Sequence, residues 1–262
     1  MEFTDQLGRT IVLSAVPCRI VSLVPSQTEL LVDLGLEKEL LGITKFCVHP
    51  VELRKSKKIV GGTKQVHFDR IKALNPDIIL CNKEENTREM VLELEKIAPV
   101  HVSDIVELED AFELMFQYGK IFEKETTAGK LVKNIQQELD LLEQELQHKP
   151  WVKVAYFIWQ NPFMVAGSQT FIDKLLQLNK LENVYKTPRY PETDLEELKN
   201  KKPDLILLSS EPFPFKEKHK KKFPGQEKVI LVDGEYFSWY GSRLLKAMAY
   251  FRSLRNQWSI FS

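Results

Sequence analysis

The sequence predicts an α/β protein of two similar lobes joined by one long α-helix, with a ligand cleft between the lobes. Three observations predict it. Short apolar runs alternate with amphipathic stretches in both halves, as strands and helices do in repeated βαβ units. The stretch from Ala111 to Gln147 has a helical pattern and no strand signal. The halves also repeat one another: Asp69-Arg70-Ile71-Lys72-Ala73-Leu74-Asn75-Pro76-Asp77-Ile78-Ile79-Leu80 corresponds to Glu196-Glu197-Leu198-Lys199-Asn200-Lys201-Lys202-Pro203-Asp204-Leu205-Ile206-Leu207. In each copy an acid precedes a helix-ending Pro-Asp and a buried strand by the same interval.

Taken in order, Arg19 to Leu23 reads as a strand, and Pro25 to Glu29 opens a helix that ends near Gly35, with Ser26 or Thr28 as N-cap. Gly42 to Thr44 is a second strand, Phe68 to Leu74 a helix, Asp77 to Cys81 a strand, Arg88 to Ile97 a helix and Val100 to Val102 a strand. Within the helical stretch Leu131, Ile135, Leu139, Leu142 and Leu146 fall three and four apart, forming one apolar stripe. Pro150 closes it, and Val152 to Trp159 resumes as a strand. Ser26-Gln27-Thr28 recurs as Ser168-Gln169-Thr170, each ahead of an apolar helix. The expected division is residues 1–110 for the N-terminal lobe, 111–149 for the linking helix and 150–262 for the C-terminal lobe.

Composition narrows the function. The chain has 262 residues, 43% hydrophobic and 28% charged, enough to build a large core, and its 37 basic residues balance 37 acidic ones. A net charge of zero gives no global field for a polyanion, which weighs against nucleic acid as a partner. Cys18, Cys47 and Cys81 form no close-set metal pattern and read as buried small hydrophobes. The dinucleotide, P-loop, nucleophile-elbow and HExxH motifs are missing and no nucleophile–base pair can be named, which weighs against an enzyme and leaves that reading open.

Ligands of open α/β sheets bind beyond the carboxyl ends of the strands. The loops there are rich in aromatic residues, among them Trp159, Phe163, Tyr190, Phe213, Phe215, Tyr236 and Phe237, which suit a large planar ligand. Trp239-Tyr240 stands out because Gly234 and Gly241 bracket it. His49, before Pro50, is a candidate metal ligand through a neutral imidazole. With His67 and a carboxylate such as Asp233 or Glu84 it is also a candidate for a bare-metal site. Lys64, Glu84 and Arg189 are candidates to meet polar edges of the ligand, Arg189 and Arg243 to pair with its carboxylates or phosphate. The lysines from Lys216 to Lys222 read most simply as a solvated loop, with binding to an anionic surface as the alternative.

The sequence resembles the helical-backbone class of periplasmic binding proteins that serve ABC importers of cobalamin, haem and iron-siderophores. The resemblance is carried by Arg19-Ile20-Val21-Ser22-Leu23-Val24-Pro25-Ser26-Gln27-Thr28-Glu29-Leu30-Leu31, Leu34-Gly35, Val60-Gly61-Gly62, Asp69-Arg70-Ile71, Pro76-Asp77-Ile78-Ile79, Asn183-Val184-Tyr185, Pro203-Asp204-Leu205-Ile206 and the Trp239-Tyr240 region. It is most similar to the cobalamin-binding branch, although polar Lys64-Gln65 stands where that branch carries an aromatic residue.

The resemblance implies two Rossmann-like lobes and a ligand that is a corrinoid or iron chelate, with no cofactor required. It implies a monomer that docks onto an ABC permease through Asp69 and Glu196, the same pair the internal repeat selects. It implies a periplasmic or membrane-surface location; the chain as given starts without a signal peptide, which leaves a cytoplasmic one open. Two other readings stand beside it: an intracellular enzyme or cofactor chaperone on this fold, and a binder of bare Zn or Mn ions.

Overall fold

A computed structural model describes residues 1–223 and 228–258. The chain forms two compact units. Unit 1 comprises Met1–Ile105, Glu109–Ile135 and Trp239–Leu245; unit 2 comprises Val106–Leu108, Gln136–Ser238 and the residues from Lys246 onward. Among the described residues no helix is long and apolar enough to cross a membrane.

Unit 1 begins with a hairpin of β1 (Glu2–Thr4) and β2 (Thr10–Val12), followed by β3 (Ile20–Ser22), α1 (Pro25–Asp33), β4 (Leu40–Ile43), α2 (Leu53–Ser56), β5 (Lys58–Ile59), α3 (Phe68–Ala73), β6 (Ile78–Asn82), α4 (Arg88–Leu94) and β7 (Val100–Ser103). The last five strands make a parallel sheet in the order β5-β4-β3-β6-β7. β3 and β6 are buried along their whole length, which is why they read as unbroken apolar runs and not as alternating ones. One face packs Val21, Ile79 and Val100 against Ile71, Met90 and Leu94 of the crossover helices.

Asp5 and Arg9 of the hairpin hold β7. Asp5 Oδ2 accepts from Val102 N at 3.1 Å, and Arg9 Nη2 donates to the Val100 carbonyl at 3.0 Å. The two side chains also pair with each other at 2.7 Å.

α5 (Leu108–Ile121) and α6 (Glu125–Leu146) fill the stretch expected to be one helix. The run breaks at Glu123, whose φ of 53° is left-handed, and the Lys124 N–H turns back to the Gly119 carbonyl at 2.7 Å. The long helix is therefore α6, with 22 residues. Its buried positions are Ala128, Val132, Ile135, Leu142 and Leu146; Ile135, Leu142 and Leu146 of the expected stripe are buried, whereas Leu131 and Leu139 are half-buried and Val132 takes the place of Leu131.

Unit 2 contains β8 (Val152–Trp159), β9 (Phe163–Val165), α7 (Phe171–Leu178), β10 (Leu181–Asn183), β11 (Glu192–Thr193), α8 (Leu195–Lys201), β12 (Leu205–Ser209), α9 (Glu217–Lys220), β13 (Val229–Val232), α10 (Glu235–Ser238) and most of α11 (Leu244–Trp258). Its parallel strands run β10-β8-β12-β13, the same path as β4-β3-β6-β7. β9 and β11 add an antiparallel pair beside β8 that unit 1 lacks among the described residues.

The repeated Pro-Asp has one structural job in both units. The Asp77 N–H donates to the Arg19 carbonyl at 2.8 Å and its carboxylate accepts from Arg19 N at 3.0 Å, docking the start of β6 onto the start of β3. Asp204 does the same to Lys153 at 2.8 and 2.9 Å, docking β12 onto β8. The recurring Ser-Gln-Thr has no such common role. Thr170 is the N-cap of α7, accepting from Asp173 N at 3.1 Å, whereas Ser26 and Thr28 lie inside α1. The N-cap of α1 is Val24, without a side-chain bond, and Pro25 at the first helical position sets the turn. Cys47 and Cys81 are buried as expected, but Cys18 is exposed, its Sγ lying 3.4 Å from Asp77 Oδ2 just ahead of β3.

Candidate functional site

In unit 1 the strand order reverses direction between β3 and β6, and the loops at that switch point converge at the carboxyl ends of the strands. Gln27, in the first turn of α1, is fully buried there. Its Nε2 donates to Ser103 Oγ at 2.6 Å, to the Cys81 carbonyl at 3.2 Å and to Tyr240 OH at 3.4 Å. Its Oε1 accepts from Tyr118 OH at 2.7 Å, so both ends of the amide are committed. Burial holds the Tyr118 and Tyr240 phenols far above their ordinary range, so both stay neutral, Tyr118 donating to the amide and Tyr240 accepting from it.

Asn82, the last residue of β6, shapes the next loop. Its Oδ1 accepts from Glu84 N at 2.8 Å and Glu85 N at 3.2 Å, while Asn86 Oδ1 accepts from Asn82 N at 2.8 Å. Asn86 Nδ2 then reaches the Thr63 carbonyl at 2.8 Å, tying this loop to the Gly61–His67 loop. Lys64 Nζ donates to the Glu84 carbonyl, which brings together two residues singled out from the sequence. Glu85 bonds to Thr63, and burial pushes its carboxyl above the usual range, with the Lys64 charge opposing.

His49 lies half-buried beyond β4, edge-on to Trp239 with ring centroids 5.5 Å apart. Trp239 and Tyr240 belong to unit 1 although they follow unit 2 in sequence. Both are buried, so they are packed residues and not the open loop pair expected from the flanking glycines. Arg243 holds them. Its guanidinium grips both oxygens of Glu29 at 2.8 and 2.9 Å and lies 4.7 Å from the Trp239 ring centroid. An exposed aromatic residue of this end is Phe46, 48% exposed, beside Gly62 and with Lys45 Nζ 5.0 Å from its ring. Its place in the loop after a strand was the available signal.

In unit 2, Trp159 ends β8 and remains 38% exposed, with Phe213 of the loop after β12 at 5.8 Å, edge to face. Arg189 is exposed in a left-handed turn with φ 69°, its guanidinium 5.9 Å from the Tyr190 ring centroid. Tyr236 stacks on Tyr250 at 4.6 Å. Asp69 and Glu196 occupy matching places, exposed in the first turns of α3 and α8. Asp194, the N-cap of α8, accepts from Glu196 N at 2.9 Å and Glu197 N at 2.8 Å, fixing that turn. Among the described residues no three His, Cys, Asp or Glu side chains are grouped to hold a bare ion.

The profile of the periplasmic binding protein family matches residues 20–231. The vitamin B12-binding protein of Pectobacterium carotovorum subsp. carotovorum is 25% identical over 239 residues, 89% of this chain and 86% of the relative. The fold is that of the periplasmic vitamin B12 binding protein of Vibrio cholerae, with a TM-score of 0.80 at 16% identity over 92% of this chain and 98% of that one. The periplasmic heme-binding protein RhuT of Roseiflexus sp. RS-1 shares it as well, with a TM-score of 0.81 at 17% identity over 91% and 98% of the two chains.

Proposed function

The chain belongs to the periplasmic binding protein family, and from that premise we propose that it captures a metal-containing cofactor, a cobalamin or related corrinoid, and hands it to an ABC importer. The observation that carries the reading is the set of rings at the carboxyl end of the unit 1 sheet. Half-buried His49 sits edge-on to the packed Trp239, and Phe46 is exposed in the same loop after β4, in a chain aligned over most of its length with a vitamin B12-binding protein. Rings supply contact area to a broad planar ligand, and a neutral imidazole supplies a lone pair to its metal. Trp159 and Phe213 offer the same kind of surface in unit 2. Lys64, Glu84 and Arg189 meet polar groups at the ligand's rim.

Binding, not bond-making, is the activity, and the cargo's metal is substrate. Exposed Asp69 and Glu196, each one residue into its helix, pair with arginines of the permease. The protein works as a monomer on the periplasmic face or tethered to the membrane surface.

Tryptophan fluorescence titration with cobalamin, cobinamide, haem and a ferric siderophore tests the reading. One saturable, tight ligand is expected, and no binding to any of the four refutes it. His49→Ala is expected to alter the bound ligand's visible spectrum; an unchanged spectrum and affinity refute ligation by His49. Asp69→Ala with Glu196→Ala is expected to abolish importer-coupled uptake in membrane vesicles while leaving the titration unchanged.

A further inference from the structure

The loop from Ser210 to Lys216 leaves the carboxyl end of β12, and the Phe213 N–H is bonded to the Ile158 carbonyl at 3.2 Å, which fastens the loop to the end of β8. Three rings follow one another along it. Phe213 lies 4.8 Å from Phe215, and His219 packs against both, at 5.4 and 5.7 Å. With Trp159 on the other side of Phe213, the rings run from the buried core residue Phe215 outward to Trp159, which is exposed at the carboxyl end of the unit 2 sheet.

His219 is oriented beside those rings. Its Nδ1 accepts from Lys216 N at 2.8 Å, so in the neutral ring the proton is on Nε2, which is a donor and not a lone pair for a metal. Desolvation first, and then the charges of Lys218, Lys222 and Lys216, lower its pKa below the ordinary histidine value. Lys220 is paired with Glu217 at 2.9 Å. Among the described residues no carboxylate pairs with Lys216, Lys218, Lys221 or Lys222, so a positive field sits on a chain whose net charge is zero.

We propose that residues 213–222 of unit 2 form a subsite for an anionic edge group of the ligand, a phosphate or a carboxylate, with the His219 Nε2–H donating to it and Lys216, Lys218 and Lys222 supplying its counter-charge. Phe213 and Trp159 cover the apolar rim beside that group. The inference rests on the reading of the protein as a receptor for a metal-containing planar ligand, and deepens it by requiring that the ligand carry negative charge at one edge.

Two pairs of probes test it, one differing in two carboxylates alone and the other in a nucleotide loop that contains a phosphodiester, for which the lysine variants separate the charge from the rest of the loop. Cobalamin carries a phosphodiester that cobinamide lacks, and haem carries two carboxylates that its dimethyl ester masks. Wild-type protein at low salt is expected to prefer the anionic member of one pair at least tenfold, and which pair responds identifies phosphate or carboxylate. The preference is expected to fall at least threefold in half-molar salt. It is expected to shrink to less than twofold in Lys216→Gln/Lys218→Gln/Lys222→Gln and to drop severalfold in His219→Gln. These are surface substitutions, and coincident thermal melts show that the fold is kept. Binding with no such preference in the wild type, or a preference that survives the triple substitution, overturns the subsite and leaves the receptor reading intact. No binding to any probe overturns both.

Discussion

Arg243 and Glu29 make the contact on which the unit 1 site depends most. Both are buried, at 6% exposure each, and they are joined by two hydrogen bonds across 214 residues of sequence. Arg243→Met leaves the Glu29 carboxylate buried without its partner, and removing one member of a buried pair costs about 3–5 kcal/mol. Loss of the guanidinium from the face of Trp239 adds about 0.5–2 kcal/mol. Against a total stability of about 5–15 kcal/mol this is a large fraction. In urea, with m of about 3 kcal/mol/M, the unit 1 transition is expected to shift down by about 1–2 M. The double variant Glu29→Leu/Arg243→Met buries no charge, and is expected to recover at least half of the loss. Single variants costing under about 1 kcal/mol, the scale of an exposed pair, refute the reasoning. So does a double variant whose cost equals the sum of the two singles.

Two other outcomes follow from the same unit. His101 is fully buried, its Nε2 is bonded to Gln117 Oε1 at 2.8 Å, its Nδ1 has no partner, and burial pushes its pKa below the ordinary value. Its contribution to stability is complete above about pH 6.5 and is lost as pH falls from there toward the folded pKa, with a slope of at most about 1.4 kcal/mol per pH unit. Urea midpoints at pH 7.5 and 5 are expected to differ less in His101→Phe than in the wild type, and equal differences refute this assignment. Gly61 has φ 133°, and a Cβ there meets the Gln65 carbonyl oxygen at 2.6 Å. Gly61→Ala is expected to cost about 1–3 kcal/mol and to weaken ligand binding by displacing Lys64; unaltered melting and affinity refute it.

Much of the fold is legible in the sequence because the features that encode it are local. β3, β6 and β12 are buried runs dominated by Ile, Val and Leu, and the Pro-Asp pairs mark where β6 and β12 dock, since a proline ends the helix and the next carboxylate bonds the neighbouring strand. The break at Glu123 is not legible, because a glutamate rather than a glycine takes the left-handed turn there. The site is less readable than the fold. The orientation of Glu84 and Glu85 is set by Asn82 and Asn86 and, through Thr63, by a loop about twenty residues away. The burial of Trp239 and Tyr240 is fixed by Glu29 and Gln27 at the far end of the chain. Glycine bracketing signals a turn and carries no information about such distant partners.

The Asp5–Arg9 pair has a consequence for solubility. Val100 and Val102 present a carbonyl and an N–H on the side of β7 turned away from β6, where an exposed strand invites another chain to add to the sheet. A carboxylate and a guanidinium occupy those positions, as a neighbouring backbone would, and with charge that no incoming backbone can match. At the opposite margin β5 has only two residues, one of them Lys58, too little to template an added strand. Both margins of this parallel sheet are thus closed to strand addition, one by chemistry and one by brevity. Losing Asp5 would therefore show itself first as aggregation at high protein concentration, with the ligand loops at the strand ends still folded.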